Sequence, residues 1–269
     1  MPYLFDHFDV VKDLLAIQPF GLFTDVDGTI AEIVPTPAEA RVSPVCRESL
    51  KTLAGRLAVV AAVSGRPAAE VRRMVDIDEM VYIGNHGYDR WAGGEVELVP
   101  GVEDYPARIR KVLEEFDKLV TIEGIIVENK GPTASIHYRR CRDHEAALQA
   151  VLSAVESPAI DAGLRVSPGR LVVELKPLLE VSKGTAVGSL IEKYRLSGAI
   201  CLGDDLTDVD IFVALHRKEL PFKGLAIGVI GKETPPQVLK EADFSLNGVS
   251  DVERFLKRIA AEVTGRPDS

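Results

Sequence analysis

Two aspartates near the start of the chain have a spacing that could support chemistry. Residues 21–29 read Gly-Leu-Phe-Thr-Asp-Val-Asp-Gly-Thr, so Asp25 and Asp27 end an apolar run two positions apart. In an extended chain, residues with this spacing project to the same side. Two adjacent carboxylates repel each other, and a hard cation such as Mg²⁺ would relieve that repulsion. The Asp-Gly step is equally typical of a turn that only closes a strand.

Three more groups of polar residues follow predicted strands or open predicted helices. Asp204 and Asp205 form a second acidic strand end, which favours the metal interpretation of the first. Lys183 lies in the first turn of a predicted helix, where the helix dipole disfavours a cation unless an anion such as phosphate binds there. The alternative for Lys183 is a solvated side chain. Ser64 and Arg66 follow another apolar run, and an arginine cannot cap the helix predicted after it.

The elements that must position these residues alternate between strand and helix. The predicted strands are 19–24, 57–63, 81–83, 198–203, 224–229 and 243–246. The predicted helices are 5–17, 44–55, 67–75, 183–195, 208–216, 235–240 and 249–262. Thr207 with Asp210 three positions later is a capping-box-like pair that would start helix 208–216. This order predicts an α/β fold with a Rossmann-like parallel sheet, in which functional groups gather at the carboxyl ends of the strands. A hairpin over 88–99 is predicted to turn at Gly93 and Gly94.

Residues 101–177 follow a different pattern and are expected to form an inserted α+β domain, with a core made of 1–100 and 178–269. The predicted elements are helices 103–120 and 143–156 and strands 124–129, 133–139, 163–167 and 171–176. Alternation along these strands is typical of an antiparallel sheet with one apolar and one polar face. The polar face would carry Glu128, Lys130, Ser135, His137, Arg139, Glu174 and Lys176. Plain solvation is the alternative explanation of that face.

Composition excludes several classes of protein. The 269 residues carry a formal charge of −9, which argues against a nucleic-acid binder. Three separated cysteines have no metal-binding spacing and indicate a reducing compartment. The absence of a basic signal-peptide start and of a long apolar run leads us to expect a cytoplasmic protein that does not bind membranes. The oligomeric state is left open by the sequence, and a monomer is compatible with it.

Taken in chain order, these features resemble the haloacid dehalogenase superfamily of phosphohydrolases. The four superfamily motifs are matched by residues 25–29, Ser64, Lys183 and residues 203–205. Within the superfamily the chain resembles the trehalose-6-phosphate phosphatase family. That resemblance covers about residues 19–250 and rests on residues 64–66, 86–87, 128–130, 137–139, 168–170, 174–177 and 203–208. One departure is Val209, where the family usually has glutamate.

The resemblance implies a fold, a reaction and a role for each matched residue. The fold would be a superfamily core with an inserted α+β cap domain that sets substrate specificity. Asp25 would be the nucleophile and Asp27 the general acid and base. Mg²⁺ would be bound by the Asp25 carboxylate, the Asp27 backbone carbonyl and Asp204, with Asp205 outside the first coordination shell. Ser64 and Lys183 would hold phosphate oxygens. The expected substrate-binding residues are Arg66, Glu128, Lys130, Arg170 and Glu174.

The implied reaction is hydrolysis of trehalose 6-phosphate to trehalose and phosphate. The alternatives within the same chemistry are phosphatases of sucrose phosphate or of mannosyl- or glucosyl-phosphoglycerate. A phosphosugar mutase or transferase could use the same aspartate pair. A non-catalytic sugar-phosphate-binding module is a different class, but such a protein would be expected to lose one of the two aspartates, and both are present here.

Overall fold

A computed structural model describes residues 1–92, 94–169, 171–216, 222–232 and 234–265. The strands are β1 (Phe20–Thr24), β2 (Val59–Val63), β3 (Val81–Gly84), β4 (Asp89–Ala92), β5 (Glu95–Leu98), β6 (Ile126–Asn129), β7 (Ala134–His137), β8 (Leu164–Gly169), β9 (Val172–Pro177), β10 (Gly198–Gly203), β11 (Lys223–Ile230) and β12 (Phe244–Asn247). The helices are α1 (Asp9–Leu15), α2 (Pro44–Ala54), α3 (Ala68–Val75), α4 (Tyr105–Leu119), α5 (His144–Asp161), α6 (Lys183–Lys193), α7 (Leu206–Leu215), α8 (Pro236–Glu241) and α9 (Gly248–Thr264). Across these described ranges, no helix combines the length and the apolar character needed to cross a membrane.

The chain divides into two units: residues 1–97 with 181–269, here called the core unit, and residues 98–180, here called the inserted unit. The large sheet has the strand order β12-β11-β10-β1-β2-β3-β4-β5. Strands β12 to β3 are parallel to their neighbours, and β4 is antiparallel to β3. The α/β class with a parallel sheet is therefore confirmed.

Helices cover both faces of the parallel strands, because alternate strand residues enter two separate apolar clusters. Phe20 and Leu22 of β1 pack with side chains from α2, α3 and α9. Phe23 of the same strand packs with side chains from α6 and α7 on the other face. Burial on both faces explains why β1 and β2 are apolar along their whole length.

The inserted unit contains an antiparallel sheet with the order β6-β7-β9-β8. Its buried face includes Ile136, Val173 and Leu175, each of which is fully buried. Helix α5 contacts β8 and β9, and α4 contacts α5, so this unit has the helix-and-antiparallel-sheet composition of an α+β structure.

Several predicted boundaries were wrong. The first predicted helix, 5–17, is a 3-10 turn at Leu4–His7 followed by the separate helix α1. Pro67 is the N-cap of α3 and not its first residue, so Arg66 lies one position further from the helix than expected. The predicted hairpin turn includes Gly93, which lies outside the described residues.

Helices α5 and α7 are both longer than the sequence pattern predicts. Helix α5 continues through Pro158 to Asp161, since burial of Val155 and Ala159 offsets the backbone hydrogen bond that proline cannot donate. Helix α7 begins at Leu206 instead of 208, because its capping pair is Asp205 with Asp208 and not Thr207 with Asp210.

Candidate active site

Three carboxylates converge at the carboxyl ends of two neighbouring strands of the core unit. Asp25 follows β1, Asp204 follows β10, and Asp208 lies in the first turn of α7. The backbone N–H of Asp25 donates to the carbonyl of Leu202 at 2.9 Å, which extends the parallel pairing of β1 and β10 to the strand end. Carboxylate oxygens of the three aspartates lie within 4.8 Å of one another. We call these residues, with Lys183, the strand-end cluster.

Lys183 lies between two of these carboxylates and is only 3% exposed. Its Nζ donates to Oδ1 of Asp25 at 2.6 Å and to Oδ1 of Asp208 at 2.8 Å. Ser182 caps helix α6 immediately before it. The lysine that seemed misplaced in a first helical turn is therefore compensated by two protein carboxylates. A role in binding phosphate oxygens remains a prediction.

Asp208 supports the loop that carries Asp204. Its Oδ2 accepts the backbone N–H groups of Asp204 and Asp205, each at 3.1 Å, while Oδ1 accepts from Lys183. Gly203 is required beside it, because a Cβ atom at that position would collide with the Asp208 carboxylate. Asp208 is not among the predicted site residues, because the pattern of Thr207 with Asp210 explains the start of the helix without it. The available signal was an aspartate three positions after Asp205, which fits the same capping pattern.

Burial in a group of like charges strongly perturbs these carboxylates. Desolvation raises the pKa of Asp25 to about 8, although Lys183 opposes the shift. Desolvation and the charge of Asp25 raise the pKa of Asp204 to about 9. Burial disfavours a charge on Lys183, but Asp208 and Asp25 outweigh it and raise the pKa of the ammonium group. If all three carboxylates are ionised, they carry more negative charge than one lysine can neutralise.

The surroundings of Asp204 suit a hard divalent cation. Thr29 is fully buried, and its hydroxyl donates to Oδ1 of Asp204 at 3.3 Å. Gly28 has a φ of +86°, and a Cβ atom there would collide with the Asp204 carboxylate. The glycine turn thus lets a second carboxylate approach the end of β1. Buried, closely spaced carboxylate oxygens short of positive charge are the donors that Mg²⁺ binds, so the residues present fit this metal.

The second aspartate of the motif, Asp27, is held by an arginine. Nε of Arg66 donates to Oδ2 of Asp27 at 2.6 Å, and one terminal nitrogen donates to Oδ1 at 2.9 Å. A further ion pair joins Arg66 to Glu70 of α3. Burial disfavours the charge of Arg66, but its bonds to Asp27 and Glu70 outweigh that effect and raise the pKa of the guanidinium.

Ser64 lies at the end of β2 and is 2% exposed. Its Oγ accepts the backbone N–H of Arg66 at 3.2 Å, and its carbonyl accepts the backbone N–H of His86 at 3.0 Å. Since the hydroxyl oxygen is an acceptor in this turn, its own O–H remains suited to donate to a phosphate oxygen.

Most of the predicted sugar-binding residues lie together on one face of the inserted unit. The sheet register aligns Glu128 with Ser135 and Ser135 with Glu174 across β6, β7 and β9. Oε2 of Glu128 lies 3.2 Å from Nε2 of His137 and 3.7 Å from Nζ of Lys130. We call Glu128, Lys130, Ser135, His137, Glu174 and Lys176 the polar sheet face.

Lys176 also belongs to this face, because its Nζ lies 2.5 Å from a carboxylate oxygen of Glu174. Glu128 and Glu174 are thus each accompanied by nitrogen-bearing side chains of the same face. Arg170, the other residue predicted to bind the sugar, lies outside the described residues.

A family model described as trehalose-phosphatase matches residues 23–250. The chain is 31% identical to a trehalose-phosphate phosphatase of Mycobacterium leprae over 95% of this chain and 60% of that protein. It is 29% identical to trehalose-phosphate phosphatase B of Arabidopsis thaliana over 96% of this chain and 71% of that protein. The chain thus spans about three fifths of the mycobacterial relative.

Solved structures give the same result for the fold. A trehalose-6-phosphate phosphatase of Aspergillus fumigatus is 26% identical, with a TM-score of 0.66, over 97% of this chain and 98% of that one. The C-terminal domain of a trehalose-6-phosphate phosphatase from C. albicans has a TM-score of 0.78 at 22% identity, over 97% and 98% of the two chains.

Proposed function

The chain belongs to the trehalose-phosphatase family, and from that premise we propose that it hydrolyses trehalose 6-phosphate to trehalose and phosphate. The observation that carries the proposal is the strand-end cluster, in which a buried aspartate contacts a buried lysine beside a second acidic strand end. A solvated turn would not require Lys183 to be buried with Asp25 and Asp208.

In the proposed mechanism Asp25 is the nucleophile. Its carboxylate attacks phosphorus, the bond to the sugar oxygen breaks, and an aspartyl-phosphate forms. Lys183, 2.6 Å from the Asp25 carboxylate, places a positive charge where the attacking oxygen and the phosphate approach each other. Ser64 donates its O–H to a phosphate oxygen. Water then attacks the aspartyl-phosphate, which releases phosphate and restores Asp25.

Asp27 is proposed to move the proton in both steps. In the first step it donates a proton to the departing sugar oxygen, and in the second it accepts one from the attacking water. Its side chain is 36% exposed, against 7% for Asp25, so Asp27 remains accessible to a leaving group or a water molecule.

We infer that Mg²⁺ binds the Asp25 carboxylate, the Asp27 backbone carbonyl and Asp204. When bound, such a cation reduces the repulsion between the anionic nucleophile and the phosphate. Asp208 is a poorer candidate for a ligand, because its two oxygens already accept from Lys183 and from two backbone amides. Its contribution is to hold Lys183 and Asp204 in place.

Recognition of the sugar is assigned to the polar sheet face of the inserted unit. Glu128 and Glu174 offer acceptors for sugar hydroxyl groups, and Lys130 offers donors, a combination that suits a polyol. Side-chain identity on this face is therefore expected to decide which sugar phosphate is hydrolysed.

The proposal is tested by phosphate release from a panel of phosphorylated sugars in the presence of Mg²⁺ or of a chelator. The panel should contain trehalose 6-phosphate, sucrose phosphate, glucosyl-phosphoglycerate and glucose 6-phosphate. We expect the highest kcat/KM for trehalose 6-phosphate, and loss of release in chelator that added Mg²⁺ restores. Equal or higher kcat/KM for a different disaccharide phosphate would contradict the substrate assignment. Full activity in chelator would contradict the metal assignment.

A further inference from the structure

Arg66 joins three separate segments of the core unit through its guanidinium group. Nε and one terminal nitrogen form a two-pronged contact with the two carboxylate oxygens of Asp27. The same terminal nitrogen donates to the carbonyl of Pro37 at 3.0 Å, and the other terminal nitrogen donates to Glu70. The turn after β1, the loop before α2 and helix α3 are thereby connected at one side chain.

These contacts leave little of Arg66 for a substrate. A guanidinium group has five N–H donors, and the contacts with described residues use four of them. The side chain is only 9% exposed, whereas that of Asp27 is 36% exposed. The arginine thus lies behind the aspartate, and the aspartate is the member of the pair that a substrate can reach.

The backbone around Arg66 is also fixed. Its N–H donates to Oγ of Ser64 at 3.2 Å, and its carbonyl accepts the N–H of Asn85 at 2.8 Å. Because the backbone is held on both sides and Glu70 holds the guanidinium from α3, Arg66 presents a pre-organised fork to Asp27.

We propose that Arg66, held by Glu70 and the Pro37 carbonyl, is a positioning residue that fixes the Asp27 carboxylate for proton transfer. This inference rests on the proposed function, in which Asp27 is the general acid and base. It replaces the expectation that Arg66 binds the substrate directly. Each oxygen of a carboxylate has two lone pairs, so the fork occupies one lone pair on each oxygen and leaves the other directed away from Arg66.

Positioning and substrate binding predict different kinetic signatures. If Arg66 acts through Asp27, its removal lowers kcat in the wild-type background. In the Asp27→Asn background, which has no carboxylic acid to position, the same removal causes no further loss of kcat. If Arg66 binds the sugar or the phosphate, its removal raises KM whether or not Asp27 is intact. A double-mutant cycle between the two residues therefore separates the two roles.

The cycle uses the 269-residue Mg²⁺-loaded chain and compares wild type, Arg66→Ala, Asp27→Asn and the double variant. Single variants Arg66→Lys and Glu70→Gln test the fork and its support. Arg72→Lys is the matched control. Arg72 lies on helix α3 with Glu70, and it forms an ion pair with Asp76 instead of Asp27. The substrate is the phosphate monoester that wild type hydrolyses best, and melting temperature is measured for every variant.

We expect Asp27→Asn to lower kcat by about 10²- to 10⁴-fold, which is the usual contribution of general acid–base catalysis. Arg66→Ala should lower kcat by about 10- to 100-fold with KM within about threefold, and Glu70→Gln should give a smaller loss of the same kind. The double variant should match Asp27→Asn within about threefold. Arg72→Lys should leave both constants unchanged.

Additive losses of kcat in the double variant, or a KM that rises more than tenfold in Arg66→Ala, would overturn the positioning role. If Arg66→Ala does not fold, the cycle is run with Arg66→Lys, which keeps the charge but cannot form the two-pronged contact. If wild type hydrolyses none of the monoesters, the proposed function itself is refuted, and this result is obtained before any variant is compared. Normal wild-type activity with unchanged Arg66 variants refutes only the inference about Arg66.

Discussion

The two units of the protein bury their charged side chains to different extents. In the core unit, Asp25, Asp208 and Lys183 are almost entirely buried and contact one another directly. On the polar sheet face of the inserted unit, Glu128 and His137 form a contact between side chains that are each more than one quarter exposed. The first group is held by neighbouring strand ends, and the second only by the alternation along antiparallel strands.

This difference indicates a division of labour. Buried charges with fixed partners have perturbed pKa values, as reactive groups require. Partly exposed ion pairs can exchange their partners for the hydroxyl groups of a ligand at little cost. We therefore expect substitutions in the strand-end cluster to affect the chemical step, and substitutions on the polar sheet face to affect substrate binding.

The strongest test of this division is Asp25→Asn. We expect kcat to fall by more than about 10⁴-fold, because the amide cannot act as the nucleophile. The circular dichroism spectrum should stay that of wild type, and the exposed Asp13→Asn is the matched control. An Asp25→Asn variant that retains even one tenth of the wild-type rate contradicts the assignment of the nucleophile.

Asp208→Asn tests whether a residue outside the reaction can affect it through position alone. Since it removes one of the two carboxylates bonded to Lys183, we expect an unfolding free energy lower by about 3 kcal/mol. The kcat should fall by roughly 10²-fold, the loss typical of removing one electrostatic support. Urea unfolding and steady-state kinetics measure the two effects. The exposed Asp210 of the same helix supplies the control, Asp210→Asn, and equal behaviour of the two variants would refute the supporting role.

Glu174→Gln and Glu128→Gln test the other side of the comparison. Losing a hydrogen bond to a charged group costs about 1.5–3 kcal/mol, so KM for trehalose 6-phosphate should rise roughly 10- to 100-fold. The kcat should change by less than about threefold. Glu145→Gln, an exposed change on α5, is the control. A large loss of kcat at unchanged KM would place these residues in the chemical step. It would contradict the assignment of substrate binding to the polar sheet face.

The stability of the metal-free protein should depend on pH. Burial raises the pKa of Asp25 from 3.8 to about 8 and that of Asp204 to about 9, so the folded protein binds more protons than the unfolded chain between about pH 4 and pH 8. Metal-free protein should therefore lose stability, and its Tm should fall, as pH rises through this range.

Differential scanning fluorimetry in chelator between pH 5 and pH 9 measures this slope. Saturating Mg²⁺ should flatten it, because a bound cation favours the ionised carboxylates. Asp204→Asn should also give a flatter slope than wild type in chelator. A Tm in chelator that rises from pH 5 to pH 9 would contradict the raised pKa values.

Much of the core unit follows from local rules that act on the sequence. A doubly covered parallel sheet predicts that polar residues after different strands meet at one edge, and the structure brings Asp25 and Asp204 together in this way. The first helical turn of α6 indicated that Lys183 needs an anion. That its partners are Asp25 and Asp208 could not be deduced, because the three residues come from distant parts of the chain.

Other contacts were beyond sequence reasoning because two patterns competed. Thr207 with Asp210 satisfies the same capping rule as Asp205 with Asp208, and packing selects the second pair. The i,i+4 spacing of Arg66 and Glu70 is visible in the sequence, but the contact with Asp27 depends on the tertiary fold. In the inserted unit, alternation predicted which residues share a face. It carried no information about what that face binds, which only the family resemblance suggested.

The order of strands in the large sheet has a consequence for biosynthesis. Strand β1 pairs with β2 on one side and with β10 on the other, and Lys183 lies 158 positions after Asp25. A nascent chain that ends before residue 181 contains Asp25, the proposed nucleophile, but neither Lys183 nor strand β10. Such long-range pairing slows folding, so activity should emerge during refolding only after β10 has paired with β1. Until those residues are made, the growing chain carries Asp25 without the lysine and the acidic residues that surround it in the folded core unit.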